Sequence, residues 1–412
     1  MRARTLVALL AVLLLLSQAG CTGDPSGSGA RRAPCVRGDD ARTAAQTLLD
    51  QRAAAVRAGD RDGFLATSSR DADAGALEEQ EARFDRIQQL PPHSFDLTLS
   101  VTQHAAPGEL TSYVNQAVQL KGIDEKPLGV VHRVTFGEHD GCWSVDADET
   151  EDIQVTEAPW EAPGAILEHR EGVLLVTDEQ DGSARDRILD AAVDAWQAER
   201  RLLATENHRP DDRGVVVLAF TTNRAMNVNG FYYRSLDLTG GIEVPVRTGT
   251  DEIDFRVLVA PSTLRDDSST YLHTMLRHEF VHVLLARHQR APTWATEGVA
   301  EYYSSGRAGG PVAPITDLVP PGIVTDGVGL PTDTFFADTW EERAGNYAVA
   351  WAAMTYLGEH FGTSEPARLV AVLHRVNAYR HPRRTEQVLE RRYGLSVDDL
   401  GARARELVAA VG

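Results

Sequence analysis

Lysine is nearly missing from this 412-residue chain: Lys121 and Lys126 are the only two, and every other cationic side chain is an arginine or a histidine. Positive charge is scarce altogether, with 41 Lys and Arg against 60 Asp and Glu and a formal net charge of −19. A surface of that sign repels a phosphate backbone, which excludes nucleic acid as a partner. Long apolar runs are equally few. The run from Leu6 to Leu16 is too short to span a bilayer comfortably, and no later segment is apolar and long enough to cross one. Cysteine occurs three times, at Cys21, Cys35 and Cys142, so at most one bridge can form within the chain. Length is not lacking, and it allows two or three domains, each with its own core.

Arg2 and Arg4 precede the Leu6–Leu16 run, and charge before a short apolar core reads as an export signal over residues 1–20. The signal ends in Ser17-Gln18-Ala19-Gly20-Cys21, which resembles a bacterial lipobox, with Gln18 where an aliphatic residue is more usual. The resemblance implies lipidation of Cys21 and anchoring to the outer face of the cytoplasmic membrane. Without Arg2 and Arg4 the net charge is −21, which keeps the protein soluble beside its anchor. Residues 21–39, with Pro25, Gly27, Gly29 and Pro34 among small residues, read as a flexible tether. With Cys21 spent on lipid, an oxidising compartment permits a disulfide between Cys35 and Cys142; two separate thiols are the alternative.

Residues 40–157 read as one domain. Helical patterning over Ala44–Ala58 turns at Gly59-Asp60 and resumes over Arg61–Thr67. β-rich runs follow at Phe95–Val101, Tyr113–Leu120, Val130–Phe136 and Cys142–Val145. This order predicts an α+β cone of helices and a curved antiparallel sheet, and the string AVRAGDRDGFLA resembles nuclear-transport-factor-like domains. No catalytic constellation is evident there, so a spacer or partner-binding role is expected. Nine carboxylates and no Lys or Arg lie between Glu138 and Glu161, and with Pro159 and Pro163 they mark a linker. Residues 165–305 then run strand (Val173–Thr177), helix (Asp186–Leu203), strand (Val215–Phe220), a short glycine-bounded strand (Ile242–Val246), strand (Phe255–Ala260) and a helix from about Ser269. The last region, 306–412, opens with a Pro/Gly-rich loop to Gly329, a length that often covers an active site. Helical runs follow at Asn346–Leu357, Pro366–Val376, Thr385–Tyr393 and Asp398–Val411.

The most informative stretch is His278-Glu279-Phe280-Val281-His282. No Pro or Gly interrupts Ser269–Arg287, and Leu272, Leu276, Val283 and Leu284 recur at helical spacing. Residues four apart stand one above the other on a helix, so both imidazoles can point at one metal ion while Glu279 lies beside it as a proton acceptor. A catalytic zinc takes three protein ligands and leaves a position open, and His-His-Glu is one accepted set. Glu297, in Trp294-Ala295-Thr296-Glu297-Gly298-Val299-Ala300-Glu301-Tyr302-Tyr303, supplies the carboxylate.

HEFVH followed by WATEGVAEYY resembles the gluzincin zinc metallopeptidases, whose second motif reads approximately W-L-x-E-G-x-A and carries the third ligand on a second helix. Ala295 replaces the usual Leu, and the spacer is shorter than in the large aminopeptidases and thermolysin-like members. The resemblance implies one zinc per chain on His278, His282 and Glu297, with Glu279 as the catalytic base. Glu301, one helical turn after Glu297, matches an acidic residue that accepts a hydrogen bond from a ligand histidine. The fold implied is a mixed sheet against the active-site helix, followed by a C-terminal helical lobe that offers a tyrosine to the developing oxyanion. Tyr347 is the candidate, with Tyr302 and Tyr303 as alternatives. Gly241–Arg247 is the candidate edge strand, where an extended peptide could add; a hairpin strand without a ligand is the alternative. The activity implied is hydrolysis of a peptide or protein substrate. No amine-binding motif of the G-A-M-E-N kind precedes His278, which tilts the expectation toward an endopeptidase. The alternatives are hydrolysis of an amide in cell-wall peptide and a non-catalytic, zinc-containing binding lipoprotein.

Overall fold

The first helix, α1 (Ala41–Ala58), begins where the Asp40 carboxylate accepts the Thr43 amide at 3.2 Å. It stops at Gly59, whose φ of 66° lets its amide and that of Asp60 return to the carbonyls of Val56 and Ala55. Asp60 at once caps α2 (Arg61–Leu65) by accepting the Gly63 amide at 3.0 Å. These are the positions at which AVRAGDRDGFLA changes direction. In this computed structural model the described residues are 35–38, 40–69, 74–149, 158–162, 164–206, 213–222, 240–248, 252–265, 269–285, 290–306, 329–331, 335–336 and 339–411. The export signal, Cys21, nearly all of the tether and most of the 306–329 loop lie outside them.

After α3 (Ala74–Gln88) come four strands, β1 (His93–Ala106), β2 (Glu109–Leu120), β3 (Leu128–His139) and β4 (Cys142–Glu149), each antiparallel to the next. Shifts of register between Leu99 and His104, and at Thr135/Phe136, bend the sheet as extra residues in one strand do. The helices pack against the sheet around Leu48, Phe64, Phe84, Phe95, Val118 and Phe136. Cys35 and Cys142 form a disulfide with Cα atoms 5.0 Å apart, and beside it Val36 pairs with Trp143.

The cone also buries charge. Arg83 donates to Gln116 at 2.6 Å and to Asp148 at 2.5 Å, and its Nε lies 3.0 Å from Glu161. Burial alone would raise the Asp148 carboxyl, but Arg83, His132 and Arg52 hold it well below the usual carboxylate range. Glu161 reaches this network from the short turn Pro159–Glu161, and the Trp160 carbonyl accepts from Arg86 at 2.9 Å. The acidic stretch expected to be a linker therefore differs from expectation. Its first part lies in β3 and β4, where Asp146 and Glu149 face His139 and Arg133, and its end is built into the cone.

A second sheet contains β5 (Ile166–Arg170), β6 (Val173–Thr177), β7 (Val215–Ala219), β8 (Gly241–Thr248) and β9 (Glu252–Val259), in the order β5-β6-β7-β9-β8. β6, β7 and β9 are parallel, and the edges β5 and β8 are antiparallel to their neighbours, so the sheet is mixed. The central strands, VLLVT and VVVLA, are apolar at every position but one because both faces are covered. Val173, Leu175, Val215, Val217, Val257 and Val259 pack under α4 (Gly182–Thr205) and α6 (Ser269–Leu284), which follows the short α5 (Pro261–Arg265). Leu174, Val176, Val216, Leu218, Phe220 and Leu258 share a core with the cone.

That contact is locked by charge. Arg256 of β9 pairs with Asp124 in the β2–β3 turn, both essentially unexposed. Beside them Asp254 accepts from Arg213 at 2.7 Å and from the Glu125 amide at 2.8 Å. The described residues, all beyond Ala33, form one compact unit with an α+β fold. α7 (Thr293–Gly306) and the long α8 (Trp340–Phe361) pack side by side, and α9 (Glu365–Arg375), α10 (Arg383–Tyr393) and α11 (Val397–Val411) complete a helical lobe around Trp294, Val349, Met354, Leu369 and Leu400. Among the described residues no helix is long and apolar enough to cross a membrane.

Candidate metal centre

α6 carries His278 and His282 one turn apart, and their ring centroids lie 4.8 Å from each other. Leu272, Met275, Leu276 and Phe280 of the same helix are buried against α4 and the second sheet, with Phe280 edge-on to Trp196 at 5.2 Å. That burial sets the rotation of α6 and so the direction in which the histidines point. α7 then brings Glu297 and Glu301, also one turn apart, against the imidazoles. Glu297 Oε2 lies 3.2 Å from His278 Nε2 and 3.4 Å from His282 Nε2, and the two Nε2 atoms are 3.0 Å apart. The other side of His278 is held by Glu301, 3.0 Å from Nδ1. A partner at Nδ1 leaves Nε2 free to act as the donor.

The donor chemistry fits zinc. Two imidazole nitrogens and one carboxylate oxygen fall within 4.8 Å of one another, an accepted set at a catalytic zinc. Electrostatics agree with the geometry. Burial disfavours charge on the imidazoles, yet Glu301 raises His278 well above its ordinary pKa and Glu297 raises His282. Burial would raise Glu297 too, but the two histidines hold it well below the carboxylate range. Without a metal the imidazoles hold protons that offset Glu297 and Glu301, and a divalent ion bound at the three donors would displace them.

Glu279 stands beside this set without belonging to it. It is buried, and its Oε2 accepts the Glu243 amide of β8 at 2.8 Å, which fixes one carboxylate oxygen. Burial lifts its pKa above the ordinary value against the pull of His278 and His282, a shift that suits a proton acceptor near neutral pH. The Tyr347 ring centroid lies 6.1 Å from that of His278 and 5.0 Å from that of Phe335. Burial, then Glu297, Glu301 and Glu279, push its pKa well above 10.0, so the hydroxyl keeps its proton. The alternative tyrosines are elsewhere. Tyr303 is buried in the lobe and donates to the Thr363 carbonyl at 3.3 Å, and the Tyr302 ring packs on Gly358.

Three contributors were not recognised in the sequence. The Glu243 amide is a backbone group and leaves no trace in residue types. Arg277 is buried one turn before Val281, and a charge on the face of a helix that buries Val281 was the signal available. Gly298 was quoted only as part of a motif, and its reason is steric: a Cβ there would meet the Ala350 carbonyl oxygen at 2.5 Å and its carbon at 2.9 Å. α7 can approach α8 this closely only without a side chain. We expect Gly298→Ala to destabilise the protein by about 1–3 kcal/mol, since the obstacle is backbone. Thermal unfolding of the two proteins measures it, and an unchanged Tm would remove the steric account.

No protein-family model matches the chain, and no curated protein matches it. One solved structure does, a single-residue variant of Rv3472, a function unknown protein from Mycobacterium tuberculosis. It is 10% identical, with a TM-score of 0.21 over 26% of this chain and 71% of that one, values too low to carry any inference.

Proposed function

We propose that this protein is a zinc-dependent peptidase of the gluzincin type, acting as an endopeptidase at the extracytoplasmic membrane surface, where a lipid on Cys21 anchors it. One observation carries the reading: two histidines of one helix and a glutamate of the next converge on a point, with a buried carboxylate beside that point that is not one of the donors. A site that only braced the fold would be closed by four ligands and would need no base.

His278, His282 and Glu297 would hold the ion. Bound there, zinc supplies Lewis acidity, which polarises a peptide carbonyl and acidifies water. Glu279 takes the proton from the attacking water on the oxygen left free by the Glu243 amide, and returns it to the leaving amine. Tyr347 donates its hydroxyl to the developing oxyanion. The substrate would lie extended along β8, the edge of its sheet, where backbone groups offer affinity with little side-chain selectivity.

The test is metal content combined with cleavage of a mixed peptide library. The wild-type protein should hold close to one zinc per chain and cut the library at internal bonds, and His282→Ala should lose both properties. Zinc content unchanged in the His282→Ala protein would remove the ligand assignment, and a metal-loaded wild type that cuts no peptide would remove the peptidase.

A further inference from the structure

Arg277 immediately precedes the first of the paired histidines and is 2% exposed. Its Nε donates to Oε1 of Glu199 in the C-terminal third of α4, and its Nη2 donates to the Tyr303 carbonyl at 3.1 Å. Glu199 is 0% exposed, and among the described residues no hydrogen bond reaches its second oxygen. Tyr303 belongs to the last turn of α7, where helix carbonyls lack an amide partner within the helix and the dipole is negative. One guanidinium therefore joins three helices: α4 against the sheet, α6 with His278 and His282, and α7 with Glu297 and Glu301. Its two hydrogen bonds leave a rigid planar group at a fixed angle, which an ammonium at the end of a flexible stem cannot copy.

We infer that Arg277 is a positioning residue, which sets the separation of the two helices so that the Glu297 carboxylate meets the Nε2 atoms of His278 and His282. The inference rests on the zinc-peptidase reading only for what the three donors hold. General packing would stabilise α6 and α7 without selecting their spacing. Gly298 lets α7 approach α8, and Arg277 fixes α7 on its opposite approach to α6, so the donor geometry is clamped from both sides. Removing a direct hydrogen-bond partner of a metal ligand lowers metal affinity by about 10- to 100-fold, and a residue that sets the spacing of the ligand-bearing helices should act on the same scale.

The experiment separates this role from simple bracing. Glu199→Gln combined with Arg277→Met leaves no unmatched buried charge, and Arg277→Lys keeps the charge but loses the planar fork that holds Glu199 and the Tyr303 carbonyl at a fixed angle. Zinc affinity is measured by competition with a chromogenic chelator, and unfolding is followed on the metal-free proteins. The double variant should unfold cooperatively without metal, yet bind zinc about 10- to 100-fold more weakly, with Arg277→Lys in between. Should the double variant fail to fold, Arg277→Lys decides alone. Wild-type zinc affinity in a folded variant overturns the inference.

A second measurement needs no metal. The ring nitrogen shifts of His278, whose Nδ1 faces Glu301, are recorded at fixed pH in the metal-free wild type and in Arg277→Lys. They should differ between the two. If the wild type binds no zinc, the proposed function falls, and these shifts still decide the role of Arg277: unchanged shifts overturn it.

Discussion

Glu279→Gln should keep its zinc and lose turnover by about 10²-fold or more, as expected for a positioned general base. The substitution preserves size and lets a carboxamide oxygen still accept the Glu243 amide, but it removes the group that takes the proton. Because Glu279 is not one of the three donors, metal content should not follow activity. Tyr347→Phe offers a contrast within the same assay. It should lower turnover by about 10²–10³ with little change in KM, the pattern of an interaction made only in the transition state. Undiminished cleavage by a fully metallated Glu279→Gln protein would end the proposed mechanism. Full zinc occupancy with no cleavage by any form would instead favour a binding lipoprotein.

The second large effect concerns the cone. A protein beginning at Ala158 would expose Leu174, Val176, Val216, Leu218, Phe220 and Leu258, one whole face of the second sheet. Each such side chain gains about 1.5–3 kcal/mol from burial, so the fragment should aggregate or lose cooperative unfolding. A single substitution reaches the same contact. Asp124→Asn leaves Arg256 buried without its carboxylate, which costs about 3–5 kcal/mol. Urea unfolding of the intact Asp124→Asn protein measures this, and a change under 1 kcal/mol would show that the cone is a separable appendage.

Legibility in the sequence followed the range of the physics. His278, Glu279 and His282 stood out because one helical period fixes their mutual placement. Glu297 came from the need of a catalytic zinc for a third ligand and Glu301 from a motif resemblance, and their contact with the histidines depends on how α7 crosses α6, which no local pattern encodes. α3 was missed because its inward face is Gln80, Arg83 and Arg86 as well as Phe84 and Ile87, so hydrophobic periodicity fails there. β5 was missed because only Ile166 and Leu167 are apolar before Glu168, His169 and Arg170. The uniform apolarity of β6 and β7 fits a sheet buried on both faces, but it does not say what buries it. The answer lies in Asp124 and Arg256, 132 positions apart in the chain.

The scarcity of lysine acquires a practical meaning once the β2–β3 turn is located. Lys121 and Lys126 are both exposed and flank Asp124, the residue that locks the cone to Arg256. Lysine-specific cleavage of this chain is therefore confined to one turn, after Lys121 or after Lys126. A cut in this turn falls beside Asp124, so lysine-specific nicking and loss of the pairing with Arg256 can be followed in one assay.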